Sequence, residues 1–245
     1  MNKELNDVRA IAFDLDGTLV DSAPDIAHAL NSALRQAGLA AVDLTAVRGW
    51  IGDGPDVLIA RALAAGAADG AESTGLRASL RGDFDAAAFA APLSHGAVYP
   101  DMADTLQVLY RICPLVVVTN KPTALARAVL EAAGLLPWFK RVYGADRTEL
   151  RKPLPAMLVQ AAHDLGVTTS QLLMVGDSSA DMNAAKAAGA PAVLVRWGYG
   201  HVQAQSQGQW WPIDRPQELP ALWHALADTS APWHRTSGGK GANRP

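Results

Sequence analysis

Between Tyr99 and Val195, short apolar runs alternate with longer stretches of helical period. Residues 115–118, 172–175 and 192–195 are continuous apolar runs, too short for helices and bounded by polar or glycine positions. Such runs predict strands buried on both faces. Val142-Tyr143 predicts a further short strand. The intervening stretches 101–111, 123–133, 155–165 and 180–188 read as helices; in the first two Met102, Leu106, Leu109 and Leu125, Val129, Leu130 fall on one face. Three of them run into Gly134, Gly166 and Gly189, the usual C-terminal stop. With the run Ile11-Ala12-Phe13 near the start, the alternation predicts an α/β protein: a parallel sheet covered by helices on both faces.

Between Leu19 and His95 the strand signal vanishes and alanine dominates. Ser22-Ala23-Pro24-Asp25 reads as a helix start, with a capping hydroxyl, an early proline and an acid in the first turn. Ile26, Leu30 and Leu34 then recur at helical spacing as far as Gly38, and further helices are predicted around 44–48, 55–65 and 76–90. This predicts a helical insertion over the carboxyl end of the first strand, with hinges near Val20 and near 96–100. The expected organisation is a core from residues 1–19 and 97–228, a helical cap domain from 20–96, and a disordered tail over 229–245, which is rich in Ser, Gly, Pro and basic residues.

The first strand runs directly into Asp14-Leu15-Asp16-Gly17-Thr18. Ligands of open α/β sheets bind beyond the carboxyl ends of strands. Other polar groups fall at the same edge: Thr119-Asn120 after the second run, Lys152-Pro153 before a helix, and Gly176-Asp177 with Asp181 after the third run. Taken singly, each is a strand-end hydroxyl, a surface charge or a helix cap. Together they gather Asp14, Asp16, Asp177 and Asp181 with one hydroxyl and one ammonium. Crowded carboxylates raise one another's pKa unless cations sit among them. Lys152 is one cation; a hard divalent ion with oxygen ligands is the natural remainder, and Mg²⁺ suits a site of few carboxylates. A partly hydrated cation beside a hydroxyl and a lysine is an arrangement for phosphate.

Asp14-Leu15-Asp16-Gly17-Thr18, Thr119-Asn120, Lys152-Pro153 and Gly176-Asp177 with Asp181 resemble the four motifs of the haloacid dehalogenase-like superfamily, over residues 11–199. Asp14–Ile26, Arg48-Gly49-Trp50-Ile51-Gly52-Asp53-Gly54 and Thr119-Asn120-Lys121-Pro122 are similar to phosphoglycolate phosphatases. Asp101 departs from the Pro-Gly expected after Tyr99, and 146–151 has no clear counterpart. The resemblance implies a Rossmann-like core and a Mg²⁺-dependent phosphatase acting through an aspartyl-phosphate. It makes Asp14 the nucleophile and Asp16 the acid and base. It makes Thr119, Asn120 and Lys152 the phosphoryl contacts. Asp14, the Asp16 backbone carbonyl and Asp177 become metal ligands, with Asp181 orienting metal waters or Lys152. The substrate is expected to be a small phosphorylated metabolite, 2-phosphoglycolate first; a sugar phosphate, such as an amino-sugar 6-phosphate, is the alternative.

A phosphomutase shares these motifs and stays open. Asp16 argues against a dehalogenase, which needs no acid there. The stretch 20–100 contains no lysine, which argues against a phosphonatase. Gly49-x-x-Gly52-x-Gly54 follows no strand, so it reads as a cap loop bringing Arg48 and Gly52 to the substrate rather than as a dinucleotide site; Arg48 has the fork to read a carboxylate. A net charge of −3 gives no sign of nucleic acid, no apolar stretch is long enough for a bilayer, and the charged N-terminus is unlike a signal peptide. The single cysteine, Cys113, beside an apolar run, reads as a buried structural thiol and fits a cytoplasmic protein.

Overall fold

The computed structural model describes residues 7–65, 74–200 and 210–227. The chain enters through strand β1 (Ala10–Phe13) and the short β2 (Val20–Asp21), then passes through helices α1 (Ala23–Gln36), α2 (Leu44–Trp50), α3 (Pro55–Ala65) and α4 (Thr74–Ala90). It returns through β3 (Ala97–Val98) and α5 (Met102–Tyr110) and then alternates: β4 (Leu115–Thr119), α6 (Thr123–Ala132), β5 (Arg141–Gly144), α7 (Ala156–Leu165), β6 (Leu172–Gly176), α8 (Ser179–Ala188) and β7 (Ala192–Val195). It closes with β8 (Trp210–Ile213) and α9 (Glu218–Ala227). The tail expected over 229–245 lies outside the described residues.

Six strands form one parallel sheet in the order β5-β4-β1-β6-β7-β8. β1 sits at the centre, with Ile11 opposite Leu115 on one side and Leu173 on the other. Strand alternation divides its side chains between two layers. Ile11 and Phe13 join Leu115, Val117 and Val175 under α5, α6 and α9, whereas Ala10 and Ala12 join Val116, Val118 and Met174 against α7 and α8. Because the order turns outward in both directions from β1, the loops after β1 and β6 border a crevice at the carboxyl edge.

The helices before β3 have an apolar cluster of their own, built from Ile26, Leu30, Leu34, Val47, Leu58 and Phe84 among others. The two crossings between them and the sheet are joined as an antiparallel ribbon, Val20 opposite Val98 and Asp21 opposite Ala97. The capping expectation at Ser22 is corrected here. Ser22 stands at the N-cap of α1 but makes no capping bond; its hydroxyl donates to Asp16 instead. Asp25 does not simply sit in the helix's first turn: its carboxylate accepts the backbone N–H groups of Ser94, His95 and Gly96 at 2.7–2.8 Å, fastening the return crossing to α1.

Two irregular stretches also find their reasons. Asp101 is at φ 63°, the left-handed region, and caps α5 without a side-chain bond. That conformation favours glycine. Asp101→Gly is therefore expected to raise stability by about 1 kcal/mol, read as an upward Tm shift with unchanged activity. In the stretch 146–151, Asp146 accepts both the backbone N–H and the hydroxyl of Thr123 at 2.8 Å, while Arg151 pairs with Asp56 of α3. Trp210-Trp211 begin β8, the outermost strand beside β7, and pack against the two core layers. Pro212 is tolerated there because an edge strand has one unpaired side.

Candidate active site

The carboxyl ends of β1, β4 and β6 deliver Asp14, Thr119 and Asp177 to one point, and the first turn of α8 adds Asp181. Lys152 reaches in from the loop after β5. Its ammonium lies 2.8 Å from Asp14 Oδ1 and 2.5 Å from Asp181 Oδ1, and it donates to the Val118 carbonyl at 2.9 Å. All five side chains are buried. The Lys152 backbone is fixed by Asn120, whose Oδ1 accepts the Lys152 N–H at 2.8 Å and whose Nδ2 donates to the Lys152 carbonyl at 3.0 Å. The same Nδ2 donates to the Gly52 carbonyl at 2.8 Å, which ties the α2–α3 loop to the end of β4. Asn120 thus has both side-chain polar atoms engaged by the protein.

Asp177 is no helix cap. Its Oδ2 accepts the N–H groups of Tyr199 and Gly200 at 2.7 and 3.0 Å, and Thr18 lies 3.4 Å from Oδ1. Ser178 caps α8 in a reciprocal pair with Asp181, whose Oδ2 accepts the Ser178 N–H and hydroxyl. That bond turns the other Asp181 oxygen toward Lys152. Gly17, at φ 85°, keeps this crevice open: a Cβ there would run into the Asp177 carboxylate and the Tyr199 ring.

Burial governs the electrostatics. It raises the Asp14 carboxyl to about 7, with Asp181 adding to the rise and Lys152 opposing it. Burial, then Asp181, raises Asp177 to about 6. Burial also opposes the charge on Lys152, but Asp14 and Asp181 outweigh it and hold the ammonium above its ordinary range. An ionised Asp14 is therefore not the free-aspartate default; it depends on cations nearby. Asp14, Asp177 and Asp181 each offer an oxygen, all within 4.8 Å of one another. Asp14 Oδ1 is fully buried and accepts no hydrogen bond, its contact with Lys152 being an ion pair at a poor angle. Three carboxylates face one ammonium, and a hard divalent ion fits both the donor set and the charge deficit.

A family model described as "Hydrolase: haloacid dehalogenase-like hydrolase" matches residues 8–189. The chain belongs to the haloacid dehalogenase-like hydrolases. Among relatives of this hydrolase, the phosphoglycolate phosphatase of Rhodospirillum rubrum is 44% identical over 204 residues, covering 82% of this chain and 84% of that one. The phosphoglycolate phosphatase of Escherichia coli K12 is 38% identical over 220 residues, covering 83% and 87%. A crystal structure described as a predicted phosphoglycolate phosphatase from Haemophilus somnus superposes with a TM-score of 0.82 at 32% identity, covering 91% of this chain and 100% of that one.

Above Asp14 opens a small pocket of about 50 Å³. Asp14, Asp16, Gly52, Thr119 and Asn120 line it, together with Trp50, Leu58 and Phe84 from the helices before β3. Arg48 lies elsewhere. It pairs with Asp21 at 3.1 Å and lines a separate cavity with Thr45, Tyr99 and Trp197. The Asp16 side chain is not part of the acidic triad; it accepts from Ser22 and from Lys121 Nζ at 2.9 and 3.0 Å. Lys121 belongs to the Thr119-Asn120-Lys121-Pro122 resemblance, but the sequence assigns it no role; a lysine just beyond a strand end is the signal that points to the site. Cys113 is buried, and burial pushes its thiol up to about 12, which suits a structural role.

Proposed function

We propose that this hydrolase is a Mg²⁺-dependent phosphatase for a small phosphomonoester, with 2-phosphoglycolate as substrate. The observation that carries the reading is the buried Asp14–Lys152–Asp181 contact beside Asp177 at the strand ends, under a small, largely apolar pocket. The names of the relatives favour phosphoglycolate. Asp14, Asp177 and the Asp16 carbonyl would hold Mg²⁺, which would neutralise charge on the carboxylates and on the phosphoryl oxygens.

An Asp14 oxygen attacks phosphorus in line, and the bond between phosphorus and the ester oxygen breaks. Asp16 gives its proton to the departing alkoxide, leaving an aspartyl-phosphate on Asp14. Asp16 then takes a proton from water as that water attacks phosphorus; phosphate leaves and the Asp14 carboxylate is restored. The Thr119 hydroxyl, the Asn120 backbone amide and Lys152 hold the phosphoryl oxygens as charge redistributes. Asp181 positions Lys152. Residues 20–96 act as the cap, the β2–β3 ribbon as its hinge. The Asn120–Gly52 and Arg151–Asp56 contacts support a closed cap that keeps water from the first step. No helix among the described residues is long and apolar enough to cross a membrane, and we place the activity in the cytoplasm.

Phosphate release tests the reading on 2-phosphoglycolate, glucosamine 6-phosphate and an aryl phosphate, with Mg²⁺ and with EDTA. Phosphoglycolate should be hydrolysed best, and EDTA should lower its rate at least about 10³-fold. A sugar phosphate hydrolysed best would reassign the substrate. An EDTA-insensitive rate would remove the metal.

A further inference from the structure

Lys121 is a buried lysine to which the steps above give no task. Its side chain is 8% exposed and its ammonium contacts both oxygens of Asp16. Among the residues lining the pocket over Asp14, it alone is positively charged, and much of the wall around it is apolar. Arg48, paired with Asp21, and Arg151, paired with Asp56, do not line this pocket.

We propose that Lys121 is the specificity residue, binding a carboxylate on the carbon that bears the ester oxygen, so that the site selects phosphorylated 2-hydroxy acids. The proposal rests on the phosphoglycolate reading. Charge is the first argument: a second anionic group cannot enter an apolar pocket without a counter-ion, and Lys152 is already committed to the carboxylates at the nucleophile. Position is the second. Asp16 serves the leaving oxygen, so an ammonium touching Asp16 stands beside the leaving group. In 2-phosphoglycolate the carboxylate is attached one carbon from that oxygen; in a sugar 6-phosphate the same place holds a neutral carbon of the sugar. Donor count is the third. An ammonium has three N–H groups, and the Asp16 carboxylate, with two contacts, leaves one for a second acceptor.

The test compares kcat/KM for 2-phosphoglycolate with that for 2-hydroxyethyl phosphate, the same ester with a neutral hydroxymethyl group in place of the carboxylate. In Lys121→Met the ratio of the two should fall about 30-fold, mainly through a higher KM for phosphoglycolate. Lys121→Arg, which keeps the charge, should hold the ratio within about 3-fold of wild type. If Lys121→Met does not fold, Lys121→Gln keeps a donor for Asp16 and should shift the ratio in the same direction. Equal losses on both esters in the folded variant would overturn the proposal and leave Lys121 a positioning residue for Asp16. A wild-type protein inactive on phosphoglycolate but active on other phosphomonoesters would instead overturn the reading beneath it.

Discussion

Asp14→Asn is expected to lower kcat at least about 10⁴-fold while the protein stays folded. The amide matches the carboxyl in shape but has no anionic oxygen to attack phosphorus, so no aspartyl-phosphate forms. The same substitution has a definite sign for stability. The Asp14 carboxyl is raised from 3.8 to about 7, first by burial. Between those values the folded protein holds more of this proton than the unfolded chain. Folding therefore loses stability as pH rises through that window, and above it the ionised side chain is a standing cost. Asparagine has no charge to bury. Without metal at pH 8, Asp14→Asn should melt at or above the wild-type temperature, and the difference should shrink toward pH 5. Turnover within 100-fold of wild type, about 2.7 kcal/mol of barrier, would remove Asp14 as nucleophile. A lower Tm at pH 8 would mean that its attraction to Lys152 outweighs its burial.

The legibility of this chain follows the range of each interaction. β1, β4, β6 and β7 are continuous apolar runs, fully buried in the sheet, and a single strand's worth of sequence reveals them. β2 and β3 have two residues each and no period to detect; only their pairing across the helical insertion makes them strands. β8 hides behind Pro212, which a central strand would not accept. The residues of the cluster were readable because parallel topology brings strand ends together whatever the intervening sequence. Partner choices within the site were not. Ser22 looked like a cap until the turn after β1 brought Asp16 to it, and Lys121 meets Asp16 across more than a hundred residues. Arg48 has the chemistry for a carboxylate, but the end of α2 directs it to Asp21 on the ribbon. Residue type can be read from sequence; direction depends on how elements pack.

In Lys152→Met the buried carboxylates of Asp14 and Asp181 lose the ammonium that contacts both. Methionine is close to lysine in length and fills the space, so the main loss is charge, together with the bond to the Val118 carbonyl. Stranding buried charges in this way should cost about 3–5 kcal/mol in EDTA at pH 8, alongside loss of turnover. The deficit should shrink as pH falls. Asp14, already raised by burial and by Asp181, loses the ammonium that opposed the rise, so the folded variant takes up a proton that the unfolded chain does not. Mg²⁺ should shrink it too, because a bound cation replaces part of the missing charge, and the variant's Tm should therefore depend on Mg²⁺ more steeply than that of wild type. The double variant Asp14→Asn, Lys152→Met separates charge from packing. If uncompensated carboxylates cause the instability, removing one of them makes the double variant more stable than Lys152→Met alone, by about 1–3 kcal/mol. A double variant no more stable than the single one would assign the loss to packing and to the Val118 carbonyl, and the electrostatic account of the cluster would fall with it.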